Sequence, residues 1–191
     1  MTLLQVMADH DAAEVRLRTD DASLIGDELA TRAIVFDHRP IGPDRHISQP
    51  PERILSEYAE HVAAINRDGR YRHIDVAAVQ PDDSDPDWRA TAIAARSKFL
   101  AEHRHAEDEV RFFVAGRACF YLHLEPEVFA VVCDGGDVLS VPAGTRHWFD
   151  MGSRPDFVAI RFFEQQDGWV GDFTGDAIGE RFPTLDQLVA T

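Results

Sequence analysis

The sequence predicts an α+β protein dominated by β-structure: a small antiparallel β-barrel with a few helices packed outside it. Three observations carry that expectation. From Glu109 onward, six short apolar runs are separated by turn signals at spacings of about 8–12 residues, the rhythm of a small barrel or sandwich. Before Glu109, strand-like runs alternate with two stretches of helical apolar spacing. The length, 191 residues, suits one domain over residues 1–191 at the ~150 residues typical of a domain.

In chain order, residues 2–7 and 33–38 read as short strands. Residues 51–66 read as a helix: Pro51 suits a first helical position, Ile54, Leu55, Tyr58, Val62 and Ile65 share a face, and Gly69 lies just past the end. Residues 71–79 read as a strand. Asp85 can cap a second helix that starts at Pro86 and runs to about residue 101, with Trp88, Ala92, Ala95, Phe99 and His103 near one face. The six later strands fall at 110–115, 118–124, 128–133, 138–141, 147–151 and 157–163. Gly116, Pro126, Gly135-Gly136, Pro142-Ala143-Gly144 and Gly152 divide them. A last helix is expected from Thr184.

Lys plus Arg number 19 against 34 Asp plus Glu, a formal net charge of −15. That sign argues against nucleic acid and anionic membranes as partners. No run approaches the ~18 apolar residues of a membrane span, and the N-terminus lacks the basic region of a signal peptide. A cytoplasmic, soluble protein is expected. Its two cysteines, Cys119 and Cys133, then read as small buried hydrophobes rather than a disulfide. Histidines 10, 38, 46, 61, 73 and 123 have no ligand spacing and read as surface or core groups.

The chemistry concentrates in Glu102-His103-Arg104-His105-Ala106-Glu107-Asp108-Glu109-Val110-Arg111. His103, His105, Glu109 and Arg111 share parity, so an extended chain aims two imidazoles, a carboxylate and a guanidinium to one side. A turn at Pro142-Ala143-Gly144 redirects the chain so that His147 begins a strand facing inward. Three imidazoles and a carboxylate suit a first-row divalent metal. Six-coordinate iron, nickel, cobalt or manganese would keep two positions open for a substrate that chelates through two oxygens.

The spacing His103-x-His105-x-x-x-Glu109, then six residues to Gly116, resembles the first cupin motif, and Gly136 to His147 through Pro142-x-Gly144 resembles the second. Ser97 and Met151 depart from the usual Gly and Asn at the motif ends, neither a ligand position. The match is denser than cupins in general. Lys98-Phe99-Leu100, the run 102–114, Ser140 to Gly152, Ala159-Ile160-Arg161-x-Phe163, Gly168-Trp169 and Phe173-Thr174-Gly175-Asp176 resemble the acireductone dioxygenase family of methionine salvage.

That resemblance implies a cupin-type jelly-roll with its metal-site core at about 96–165, and one Fe(II) or Ni(II) per monomer on His103, His105, Glu109 and His147. The implied substrates are the anionic enediol 1,2-dihydroxy-3-keto-5-methylthiopentene and O2. With iron the products would be 4-methylthio-2-oxobutanoate and formate. With nickel they would be 3-methylthiopropanoate, formate and carbon monoxide.

Arg111 is the first candidate for holding substrate charge, with Arg161 as a second inward cation. Phe99, Phe149 and Trp169 match pocket aromatics of the family. Glu102 and Asp108 are candidates for orienting the ligand imidazoles or Arg111. A monomer is expected from the acidic surface. A metal-dependent isomerase and a non-enzymatic binding module are the competing functions on the same barrel.

Overall fold

The computed structural model describes residues 1–42 and 49–190. His46 and part of the first Pro-rich loop lie outside the described residues. The chain opens with strands β1 (Leu3–Ala8) and β2 (Asp11–Thr19), helix α1 (Ala22–Ala30) and strand β3 (Val35–His38). Helices α2 (Pro51–Glu57) and α3 (Ala59–Ile65), strand β4 (His73–Val79) and helix α4 (Trp88–Phe99) follow. Strands β5 (His103–Arg104), β6 (Glu109–Leu124), β7 (Glu127–Asp134), β8 (Asp137–Val141), β9 (Arg146–Asp150), β10 (Asp156–Phe163) and β11 (Asp172–Phe173) complete the sheet. A 3₁₀ turn at Ile178–Arg181 and helix α5 (Leu185–Val189) end the chain.

One long strand organises the sheet. The first half of β6 pairs with β8 on one side and β10 on the other; its second half pairs with β7 and β9. β6 is therefore common to both walls of an antiparallel jelly-roll. One wall runs β4-β10-β6-β8-β3, the other β11-β5-β9-β6-β7-β1-β2. All of these pairs are antiparallel, as the spaced turns predicted.

The bend between walls is built at Gly116, whose φ of +62° is open to glycine but strained for other residues. A register shift beside it inserts one extra residue. The inward parity of β6 changes there. Phe113 faces the interior cluster before the shift; Ala118, Phe120 and Leu122 face it afterwards. The sequence suggested two strands divided by Gly116. The backbone instead continues through the bulge as one.

Both outer faces are covered, which is why β6 reads as an almost unbroken apolar run. Ile54, Tyr58 and Val62 of α2 and α3 pack on Phe112, Val158 and Ile160. Ile178, Phe182, Leu185 and Leu188 pack on Tyr121, Val132 and Trp148. Ile25 and Leu29 of α1 join the interior cluster. Cys119 and Cys133 fall in opposite clusters and both are free, matching the apolar reading.

Several boundaries differ from expectation. The helix expected at 51–66 breaks at Tyr58, which takes a non-helical φ of −101° and ψ of 20°. Asp85 does not cap α4. Its carboxylate accepts the Asp87 N–H at 2.9 Å in the preceding turn, and the helix starts at Trp88. Strand β2, helix α1 and the two-residue β11 were not anticipated. The helix from Thr184 is present, with Thr184 and Gln187 closing a capping box. Among the described residues, no helix is long and apolar enough to cross a membrane.

A Cβ added at Gly116 would lie 1.9 Å from the Asp156 backbone carbonyl oxygen. Gly116→Ala is expected to destabilise the fold by about 3 kcal/mol, combining left-handed strain with backbone overlap. Urea denaturation measures this; a midpoint equal to wild type would contradict the bulge assignment.

Candidate metal centre

Three short pieces of backbone bring the imidazoles together. His103 on β5 is the direct cross-strand partner of His147 on β9, so both project from one face. His105 follows β5 by one residue. Its ring lies 5.1 Å from that of His103 and 5.2 Å from that of His147. One ligating atom from each of the three lies within 4.8 Å of the others, and all three residues are buried. Glu109 enters from the first residue of β6.

Hydrogen bonding fixes which nitrogen each ring offers. The Nδ1 atoms of His103, His105 and His147 contact the carbonyl oxygens of Ala101 (2.8 Å), Val170 (3.0 Å) and Thr145 (2.8 Å). A carbonyl only accepts, so each Nδ1 carries the proton, and in the neutral ring Nε2 keeps its lone pair. Burial and the neighbouring His147 push the His103 pKa down to about 4, keeping that ring neutral.

Glu109 Oε2 lies 2.7 Å from His147 Nε2 and 3.2 Å from His105 Nε2. Neither Glu109 Oε2 nor His147 Nε2 has a hydrogen-bond partner. Buried acceptors that face one another without a donor repel, and a cation resolves the conflict. Burial opposes charge on His105, yet Glu109 raises its pKa, so the cluster draws even a proton. Nitrogen and oxygen donors of this kind fit a borderline divalent ion.

Arg111 completes the electrostatics. Its Nη2 donates to Glu109 Oε1 at 2.6 Å and its Nη1 to the Val110 carbonyl at 3.0 Å. Burial alone would raise the Glu109 carboxyl, but the Arg111 charge together with the neighbouring His147 and His105 outweighs it and holds the group well below the usual carboxylate range. Oε1 is committed to Arg111, and Oε2 remains for the cluster.

The cluster opens into a cavity of about 150 Å³ whose polar end is His103, His105, Glu109 and Arg111. Phe99, Phe149 and Trp169 line it, as do Phe113, Phe120 and Phe157. The first three were singled out from sequence. The others were not, although Phe113 shares the parity of Glu109 and Arg111. Phe157 shares the parity of Arg161 on β10, whereas Phe120 lies beyond the bulge of β6, which reverses the inward parity of that strand.

Arg161 also borders the cavity, on β10, between β4 and β6. Its Nε and Nη2 are committed to Asp75 on β4 at 2.7 and 2.6 Å, so it is less available than a free inward cation. Two expectations need correction. Glu102 orients no ligand imidazole: its carboxylate takes His123 Nδ1 at 2.6 Å and the Thr174 hydroxyl at 2.7 Å, because its side chain points away from the cavity. Asp108 meets neither Arg111 nor a ligand ring. It accepts the Ala143 N–H at 2.9 Å and pairs with Arg70 at 2.7 Å, anchoring the turn that precedes His147. Sequence reasoning also missed Val170, whose carbonyl sets the His105 tautomer across 65 residues. No local pattern encodes such a partner.

A family model described as the ARD/ARD' family matches residues 46–171. The chain is 65% identical over 189 residues to acireductone dioxygenase 2 of Nocardia farcinica (strain IFM 10152), covering 99% of this chain and 98% of that protein. It is 52% identical over 189 residues to acireductone dioxygenase 1 of the same strain, covering 99% and 100%. A solved structure of acireductone dioxygenase from Bacillus anthracis, with cadmium ion in its active center, is similar in fold. The TM-score is 0.75 at 24% identity, over 91% of this chain and 98% of that one.

Removing Arg111 would strand a buried carboxylate. Arg111→Met is expected to cost the metal-free protein about 3–5 kcal/mol at neutral pH, and added divalent metal should restore more stability to the variant than to wild type. Thermal melts with and without metal test this; equal metal-induced shifts would contradict the pairing.

Proposed function

The chain belongs to the ARD/ARD' family, and from that premise we propose that it is a metal-dependent acireductone dioxygenase. The substrate is 1,2-dihydroxy-3-keto-5-methylthiopentene, cleaved with O2. The observation that carries the reading is the convergence of buried acceptors beside a cationic Arg111 in a cavity otherwise walled mainly by aromatic and aliphatic side chains. His103, His105, Glu109 and His147 are the proposed ligands, of Fe(II) or Ni(II). The bound metal would act as Lewis acid and template for a substrate chelating through two oxygens.

The protein's own residues then have separable tasks. Two of the five guanidinium N–H groups of Arg111 are spent on Glu109 and Val110, leaving three for the enediolate oxygens. Phe99, Phe149 and Trp169 enclose the methylthio end and exclude water from the polar end. The carbonyls of Ala101, Val170 and Thr145 hold the three rings in their ligating tautomer.

The atoms balance for either product set. Substrate plus O2 gives 4-methylthio-2-oxobutanoate and formate with iron, or 3-methylthiopropanoate, formate and carbon monoxide with nickel. The same reading takes the enzyme to be a soluble, cytoplasmic monomer of one domain.

The test strips metal from purified protein and reloads Fe(II) or Ni(II) separately. Oxygen uptake is expected from both forms, with carbon monoxide from the nickel form alone. His103→Ala and Glu109→Ala should lose metal and turnover together. Metal retention without oxygen uptake, or full turnover under anaerobic conditions, would overturn the dioxygenase in favour of an isomerase or a binding module.

A further inference from the structure

We propose that Glu107 is a positioning residue for this site. Its carboxylate seats the strap at 164–171, and through the strap fixes the His105 ring and holds Trp169 over the cavity. The functional consequence rests on the dioxygenase reading; the structural one does not.

Glu107 lies between two proposed ligands and has their parity, which would send it into the cavity. The bend at Ala106 and Glu107 turns it outward instead. Its Oε2 accepts the backbone N–H groups of Glu164 at 3.2 Å and Gln165 at 3.0 Å, the first two residues of the strap. Its Oε1 is buried without a partner and occupies the place where a side chain at residue 168 would begin. A Cβ on Gly168 would lie 1.4 Å from that oxygen. The strap is thus folded around the carboxylate, and glycine at 168 makes the room. A carboxylate with one buried oxygen unsatisfied is a costly turn closure, and calls for an explanation beyond local stability.

The far end of the strap supplies one. Val170 N donates to the Asp167 carbonyl at 2.9 Å, closing a tight turn. The Val170 carbonyl then receives the His105 Nδ1 proton at 3.0 Å. Trp169, between the two anchors, lines the cavity while remaining half-exposed. Gly171 packs on His103 so closely that a Cβ there would come within 3.1 Å of the ring. Two imidazoles and one aromatic wall therefore depend on a segment that Glu107 holds at its start.

Glu107→Ala in the full chain should bind one metal per chain, because the proposed ligands remain. Its strap amides at 164–171 should exchange hydrogen at least about tenfold faster by mass spectrometry, and KM for acireductone should rise by about tenfold, in the range seen when groups supporting a site are removed. Glu107→Gln, which keeps the acceptor oxygen, should restore protection and KM to near wild type. Gly168→Ala, which displaces the carboxylate without removing it, should reproduce the Glu107→Ala exchange pattern, and serves if the first variant does not fold. Wild-type exchange across the strap in both Glu107→Ala and Gly168→Ala would overturn the proposal. So would loss of metal from Glu107→Ala with the strap still protected, which would place Glu107 in the ligand cluster. Faster exchange appears even if acireductone proves to be the wrong substrate, so the two readings fail separately.

Discussion

The structure turns on a local electrostatic conflict: buried ligating atoms gathered in one place, two of them without a hydrogen-bond partner. His147 Nε2 and Glu109 Oε2 face each other at 2.7 Å, each without a partner. Left alone, such an arrangement costs free energy, because each group has lost water and gained nothing. Its surroundings make sense as measures that keep it in place until a cation arrives. Backbone carbonyls hold the protons on Nδ1. Arg111 keeps Glu109 ionised and binds its other oxygen. Burial keeps His103 neutral.

Holding that conflict at one end of a cavity requires a rigid frame, and β6 supplies it. The strand contributes Glu109 and Arg111 at its start, passes from one wall to the other at Gly116, and supports β9, the strand of His147, along its second half. Both outer faces are sealed by helical segments, so the strands cannot relax outward without exposing apolar surface. The rows of charge follow the same logic. Asp75, Arg161 and Arg111 are neighbours in register across β4, β10 and β6, and the two arginines coexist because Asp75 and Glu109 neutralise one each.

Much of this was legible in the sequence because it is written at short range. The spacing of His103, His105 and Glu109, the Pro142-Ala143-Gly144 turn before His147 and the turn rhythm after Glu109 are local patterns, and they located the cluster and the sheet. Shared parity assumes a more regular backbone than exists: His103, His105, Glu109 and Arg111 do come together, but the chain bends at 106–107, and Glu107 turns away from the side its parity assigned. What remained hidden is long-range. That Glu102 serves His123 rather than a ligand, that Arg161 is tied to Asp75 and that Val170 orients His105 all depend on strands meeting in space. The wall residue Phe120 was concealed by the single extra residue of β6 near Gly116, since a one-residue slip exchanges the two faces of a strand.

The central claim is that three imidazoles and one carboxylate act together on one cation. X-ray absorption fine structure of the protein loaded with one Ni(II) per chain addresses it most directly. The account predicts a nitrogen and oxygen shell containing three imidazoles, identified by their multiple-scattering pattern, and one carboxylate. A shell with one imidazole or none, or one that includes sulfur, would contradict it.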